Sequence, residues 1–343
     1  MMSEWRTMTA APTTVIQRIP MKAVQIVAFG KPTEVLQVAD VPDVGAPGPN
    51  EVVIALEASP INPSDLFMFT GNYGYRPPLP SIVGAEGAGR VVAVGSNVKH
   101  LKEGDHSIVP FGSPTWAERI KVDATWLRPL PAGDIKQFAM LGVNPATAYL
   151  LLTDFVAPQP GQWVIQNGAN SGVGRAVIPI AKSLGLKTVN VVRRAELVDE
   201  IKALGGNIVL LDGADLPKRV AEATGNAPIT LALDVVGDTG TTGLLGSLAQ
   251  RGTLVSYGAM SRKAMVAPPQ PLIFKDITIR GFWLVTWLQK ATPKMVAEMY
   301  DRLVPMVASG SIATPIAATF PFDQVTKAIE TAIAGQGKVL LTP

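Results

Sequence analysis

A chain of 343 residues is longer than one ordinary hydrophobic core organises, so two domains of roughly 150 to 200 residues are expected. Hydrophobic residues at 47% and charged residues at 17% exclude a disordered chain, and a net charge of +3 from dispersed Lys and Arg argues against a nucleic-acid partner while suiting small anions. Cysteine is absent, which excludes disulfides, thiolate catalysis and thiolate-bound zinc.

Residues 1–20 read as a loose extension, in which Arg6 and the Ser/Thr content would suit a transit peptide and Glu4 would not. There is no apolar stretch of the secretory-signal type, and no run approaches the roughly 20 apolar residues of a membrane span. No membrane partner is therefore expected. The expected location is the cytoplasm, or the mitochondrial matrix in a eukaryote.

From Met21 to about Pro131, β-branched runs at 21–26, 52–56, 89–94 and 107–110 alternate with Pro and Gly clusters, which predicts a mostly antiparallel β module. Near Asn144 the period changes. Helical stretches now separate short apolar strands at 163–166, 188–192, 208–211, 230–235, 253–257 and 277–281, the pattern of a doubly wound parallel sheet. The first of its helices spans 172–184, with Gly185 as its stop. The Met-bearing stretch 294–306 reads as a helix with a core face. A helix at 322–334 and a strand at 338–341 return to the first module. The fold class is thus α/β, a Rossmann sheet domain at 145–310 beside a mostly antiparallel domain formed by 21–144 and 311–343.

After the strand at 163–166 comes Asn167-Gly168-Ala169-Asn170-Ser171-Gly172-Val173-Gly174, then a helix. Small residues there let backbone N–H groups approach a pyrophosphate at the helix N-terminus. Ala169 and Ser171 occupy the first two glycine places of G-x-G-x-x-G, and Gly174 keeps the third. Nineteen positions beyond Gly174 stands Arg193, followed by Arg194, where an NAD enzyme places an acid on the ribose hydroxyl. Two guanidinium groups can instead clamp a 2′-phosphate, which selects NADPH over NADH. A solvated helix start is the ordinary alternative, but Arg there opposes the macrodipole.

From Met21 onward the chain resembles the medium-chain dehydrogenase/reductase superfamily. Where its zinc alcohol dehydrogenases carry a Gly-His-Glu ligand motif, this sequence has Gly84-Ala85-Glu86-Gly87-Ala88-Gly89, so the resemblance implies no catalytic metal. Within the zinc-free branch it is most similar to the 2-enoyl thioester reductases, with a GroES-like substrate domain. The resemblance rests on Ile61-Asn62-Pro63-Ser64-Asp65, Asn144-Pro145-Ala146-Thr147-Ala148-Tyr149, residues 166–174, Tyr257-Gly258-Ala259-Met260-Ser261 and Arg280-Gly281-Phe282-Trp283-Leu284. It implies reduction of the C2=C3 bond of a thioester carried on coenzyme A or acyl carrier protein.

Hydride delivery to the β carbon pushes negative charge onto the thioester oxygen, which then needs a donor. In the family that donor is a tyrosine in a loop after Asn-Pro-x-Asp, and Tyr73 of Thr70-Gly71-Asn72-Tyr73 matches it; Tyr75 competes. A phenol with a pKa of about 10 donates without ionising. By resemblance, Asn62, Asn144 and Thr147 meet the nicotinamide half, and Asn170, Ser171, Gly172 and Val173 hold the pyrophosphate. Tyr257, Gly258, Ala259 and Met260 line the cofactor, as do Phe282, Trp283 and Leu284, for which core aromatics on the last strand are the ordinary alternative. Lys338 matches a lysine that approaches the cofactor. His100 and His106 are the only histidines and make no metal site. An NADPH quinone or enone reductase and a non-enzymatic NADPH sensor are the competing functions. A homodimer is expected through a sheet edge at 277–283.

Overall fold

The computed structural model describes residues 20–335 and 337–343; the reading of the first nineteen residues as an extension or transit peptide lies outside the described residues. Six strands form an all-parallel sheet: Trp163–Gln166, Lys187–Val192, Ile208–Leu211, Ile229–Asp234, Thr253–Ser256 and Thr278–Gly281. Counted along the chain, their order across the sheet is 3-2-1-4-5-6. The first and fourth strands are therefore neighbours, and the chain reverses direction across the sheet at their carboxyl ends, where α/β sheets bind ligands. Val164, Ile165, Leu231, Ala232 and Leu233 are all fully buried, as expected of strands covered on both faces.

The last strand stops at Gly281, because its partner Thr253–Ser256 offers no residue beyond Ser256 to pair with. Phe282 and Trp283 thus lie past the strand, not on it, and Leu284 opens the short helix Leu284–Leu288. The amphipathic stretch predicted at 294–306 is the helix Pro293–Ala308, with Val296, Met299, Leu303 and Val307 buried along one face.

The remaining strands form two sheets. One comprises Leu36–Val41, Met21–Ile26 and Ser81–Ile82, all antiparallel. The other runs Ile316–Pro321, Lys338–Thr342, Glu51–Pro60, Ala88–Val94 and His106–Ile108, with Arg119–Asp123 paired to Glu51–Pro60. The tail thus supplies two strands where the sequence reading gave one, and they pair in parallel. Ile316–Pro321 ends in proline at a sheet edge, which masks its strand pattern. Leu340 and Leu341 pair with Pro60 and Ser59, and the Ile61 N–H donates to the Val339 carbonyl at 2.9 Å. That pairing sets Lys338 beside Asn62.

Helix Asn144–Thr153 lies between the two regions. It is buried around most of its surface, and one continuous core joins Ala58 and Ala88 through Ala146, Ala148 and Leu151 to Val173, Val177 and Ile180 of helix Gly172–Ser183.

Candidate active site

The turn between Trp163–Gln166 and Gly172–Ser183 is shaped by what its glycines omit. Gly168 takes φ +56°, and a Cβ there would lie 2.4 Å from Val235 Cγ1. A Cβ on Gly174 would lie 2.6 Å from the Gly168 carbonyl oxygen, so the helix crosses the turn more closely than any side chain allows. Ser171 caps the helix by accepting from the Gly174 N–H at 3.1 Å. The Gly172 and Val173 amides have no intrahelical acceptor and sit at the positive end of the dipole. A Cβ on Gly172 would meet Asn144 Nδ2 at 2.7 Å, so Asn144 lies against this turn, with the buried Thr147 one turn along its helix. The Tyr257 hydroxyl is buried with no hydrogen-bond partner; burial pushes its pKa up, against a smaller lowering by Ser171.

Beside the turn opens a cleft of about 470 Å³, lined among others by Asn170, Val192, Arg193, Arg194, Asp212 and Met260. Both guanidinium groups are exposed. Arg194 stands at the N-cap position of a short 3-10 turn, Ala195–Leu197, without a side-chain cap bond, and its Nε lies 3.4 Å from the exposed Glu196. Such an exposed pair contributes little. Arg193 forms no ion pair among the described residues. Cations at one end and free helix amides at the other match a molecule with two separated phosphate groups. Asn167 and Asp234, which the motif reading left unassigned, brace the turn from below. Asn167 Nδ2 donates to Asp234 Oδ1 at 2.7 Å, and Asp234 also accepts from Val236, Gly237 and the Thr241 hydroxyl. The position of Asp234 at the end of the fourth parallel strand was the signal available in the sequence.

Across from the turn lies a second polar cluster, built around Asn62. Lys338 Nζ donates to Asn62 Oδ1, and Asn62 Nδ2 donates to Glu86 Oε1 at 2.7 Å. The Asn62 N–H donates to Asp65 Oδ2 at 2.7 Å, and the Val143 N–H to Glu86 Oε2 at 2.7 Å. Burial lifts the Asp65 carboxyl to about 7, against lowering by the Asn62 N–H and Lys338. Burial likewise pushes Glu86 up and Lys338 down, the ammonium and the carboxylates opposing those shifts. Asp65 and Glu86 belong to segments already singled out, yet their convergence on Lys338 needs the C-terminal strand pairing to be seen.

Tyr73 and Trp283, 210 positions apart, meet at the same face. The Trp283 indole donates to the Tyr73 hydroxyl at 2.8 Å, and the rings stand edge to face at 5.7 Å. Burial raises the Tyr73 pKa, the indole bond lowers it and nearby Asp65 raises it. Gly74 makes room for the indole, since a Cβ there would lie 3.1 Å from Trp283 Cη2. Tyr75, the competing candidate, is 55% exposed.

The predicted residues therefore fall into three neighbouring groups, with two exceptions. Phe282 packs edge-on against Phe155 at 5.7 Å, whose ring also lies under Arg280, and Leu284 is buried in the core. Gly258 approaches the fourth strand, where a Cβ would lie 2.7 Å from Val235 Cγ2, and Ala259 accepts from the Arg262 N–H. His106 bonds Glu57 and His100 faces the Ala124 carbonyl. Among the described residues no group of three or more His, Asp or Glu is placed to hold a metal.

Sheet order, capped turn and paired donors define a class: the chain is an oxidoreductase of the dinucleotide-binding kind. Residues 48–132 match the alcohol dehydrogenase GroES-like domain, and residues 172–301 match the zinc-binding dehydrogenase model. The human mitochondrial enoyl-[acyl-carrier-protein] reductase is 40% identical over 309 residues, 88% of this chain and 82% of that protein. The mitochondrial 2-enoyl thioester reductase Etr1p/Etr2p heterodimer from Candida tropicalis superposes with a TM-score of 0.85 at 29% identity, covering 95% of this chain and 100% of that one. Etr1p in complex with NADP and crotonyl-CoA gives 0.84, with the same identity and coverage. A mycobacterial quinone oxidoreductase gives 0.81 at 27% identity, covering 94% and 100%. The chain belongs to the medium-chain dehydrogenase/reductase superfamily, among its enoyl thioester reductases.

Proposed function

We propose that the chain reduces the C2=C3 double bond of a 2-enoyl thioester, carried on coenzyme A or acyl carrier protein, with NADPH and without zinc. The observation that carries this reading is the bond from the Trp283 indole to the Tyr73 oxygen. It occupies the phenol oxygen as an acceptor, so the Tyr73 proton is left to donate elsewhere. NADPH, when bound, would supply a hydride to the β carbon; charge would move to the thioester oxygen, and a proton delivered from solvent to the α carbon would complete the reduction. Tyr73 donates to that oxygen; burial keeps the phenol protonated through neutral pH.

Arg193 and Arg194 would hold the 2′-phosphate, and the turn Asn170, Ser171, Gly172, Val173 and Gly174 the pyrophosphate. Asn144 and Thr147, with Asn62 and Lys338, would seat the nicotinamide half. Tyr257 to Met260 would line the cofactor, and Trp283 the substrate side. Against zinc stand Ala85 at the family's histidine position and the lack of any cysteine in the sequence.

We assign 145–310 to an NADPH-binding domain, and 21–144 with 311–343 to the substrate domain. A homodimer fits the edge strand Thr278–Gly281, which pairs on one side only, beside Ile273 and Phe274 at 69% and 77% exposed. The mitochondrial matrix is the assigned location if the source is eukaryotic.

The test follows NADPH absorbance with crotonyl-CoA, with a simple quinone, and with NADH in place of NADPH. Turnover of crotonyl-CoA with NADPH is expected. Turnover of the quinone alone, or preference for NADH, would overturn the reading, and NADPH binding without reduction of any enone would leave a sensor.

A further inference from the structure

Glu86 is 1% exposed, and its two oxygens serve two different parts of the fold. Oε1 accepts from Asn62, beside the C-terminal strand; Oε2 accepts from the Val143 N–H, with the Gly142 N–H also bonded to the carboxylate. Asn62 has no freedom to turn its amide over. Its Oδ1 accepts from Lys338 Nζ, so Nδ2 must face Glu86. One line of hydrogen bonds thus runs from the Lys338 ammonium through Asn62 and Glu86 to the backbone at the start of helix Asn144–Thr153.

That helix needs an outside partner. Its N-cap position is Val143, which has no side-chain oxygen and makes no cap hydrogen bond. A cap side chain ordinarily satisfies an orphan N–H of the first turn, and a negative charge there gains from the dipole. Glu86, in the segment just before strand Ala88–Val94, accepts from the N–H of the N-cap residue itself and sets a carboxyl group at the positive end of the helix. Proline at position 145 has no N–H to offer, and no side chain caps the helix from within the segment.

We propose that Glu86 is a positioning residue: as a cap lent from the segment before strand Ala88–Val94, it fixes the helix bearing Asn144 and Thr147 against Asn62 and Lys338, and so aligns the nicotinamide seat with Tyr73. The effect on catalysis rests on the enoyl reductase reading. The cap itself rests on the hydrogen-bond line alone.

Glu86→Gln tests it, because one acceptor of the carboxylate becomes an N–H₂. Whichever way that amide turns, it confronts either Asn62 Nδ2 or the Val143 N–H with a second donor. The double exchange Asn62→Asp/Glu86→Gln rebuilds the line with its middle bond reversed. The new carboxylate at position 62 accepts from Lys338 and from the new amide at position 86, whose oxygen accepts from Val143. Hydrogen exchange on the protein without cofactor should show the Gly142 and Val143 amides exchanging about tenfold faster in Glu86→Gln, equivalent to about 1.4 kcal/mol of lost protection. The double exchange should restore them to within about threefold of the parent.

With NADPH alone, fluorescence titration should show Kd raised about tenfold in Glu86→Gln; the double exchange, which alters the cofactor seat at position 62, is read by amide exchange only. In turnover, the primary isotope effect from 4-deuterated NADPH should rise, which a smaller fraction of folded enzyme would not cause. Unchanged amide exchange in Glu86→Gln, or a double exchange that remains unprotected, overturns the proposal. If Glu86→Gln does not fold, a folded and protected double exchange supports the cap, and an unprotected one defeats it. A parent protein that fails to reduce crotonyl-CoA removes the enoyl reading, while amide exchange still decides the cap.

Discussion

Replacing Trp283 with Phe retains an aromatic edge against Tyr73, whose ring lies 5.7 Å away, but deletes the N–H that donates at 2.8 Å. A neutral hydrogen bond of this kind contributes about 0.5–1.5 kcal/mol net. Loss of about 1 kcal/mol of orientation predicts a fall of about fivefold in kcat/KM for crotonyl-CoA. Tyr73→Phe removes the donor itself, and a fall of about 10²–10³-fold is expected, as for a single oxyanion donor. In the double variant there is no oxygen left to orient, so Trp283→Phe should cost nothing further, giving a coupling energy of about 1 kcal/mol. The pH profile supplies a second reading. Burial holds the Tyr73 pKa above that of an ordinary phenol, and the indole N–H, which bonds a phenolate more strongly, lowers it. Donation is lost as pH rises through that pKa, so Trp283→Phe should move the alkaline limb to higher pH. Additive single effects, or a limb that stays or moves down, would refute the orienting role.

Three further perturbations address the other groups. Arg193→Ala and Arg194→Ala each remove an exposed charge-assisted donor, so KM for NADPH should rise about tenfold each while KM for NADH holds; equal loss with both cofactors would remove the 2′-phosphate assignment. Gly174→Ala sets a Cβ 2.6 Å from the Gly168 oxygen, and should destabilise by about 1–3 kcal/mol, seen as a lower urea midpoint; an unmoved midpoint would show that the turn can yield. Asp65 titrates at about 7 in the folded protein, against an ordinary 3.8. A raised folded pKa stabilises fully below about pH 4, and that contribution is lost as pH rises through 7. The stability of the parent relative to Asp65→Asn should therefore decline from pH 4 to pH 8 in urea titrations, and a flat or rising difference would contradict the burial of that carboxyl.

How much of this could be read from the sequence depends on whether the signal was local. The six parallel strands were legible because each is an apolar run between helical periods, and their ends moved by one residue at most. The turn was legible because Gly168, Ser171 and Gly174 solve a backbone problem within eight residues. Leu36–Val41 and Ile316–Pro321 were not, since half-buried edge strands carry no clean alternation. Asp65 and Glu86 stood in quoted motifs, but their chemistry comes from Lys338, which sheet pairing brings across more than 250 positions of chain. Trp283 shows the same limit from the other side. Its segment was recognised, while its bond to Tyr73 depends on the strand ending at Gly281 and freeing the indole to turn toward Gly74.

That last dependence explains why Gly74 matters as much as the phenol. A metal ion attracts a developing oxyanion from any open coordination direction, whereas a phenol donates along one O–H bond. As the proposed donor, Tyr73 needs its O–H aimed, and the aim comes from Trp283, which takes up its acceptor side. Trp283 can do so only if the backbone next to Tyr73 lets a six-membered ring edge come within 3.1 Å of where a Cβ would stand. A side chain at position 74 would push the indole away and free the hydroxyl to rotate. On the proposed role, the direction of the Tyr73 O–H is set partly by a missing methyl group one residue along, and Gly74→Ala should reproduce the Trp283→Phe phenotype in a protein that still contains both rings.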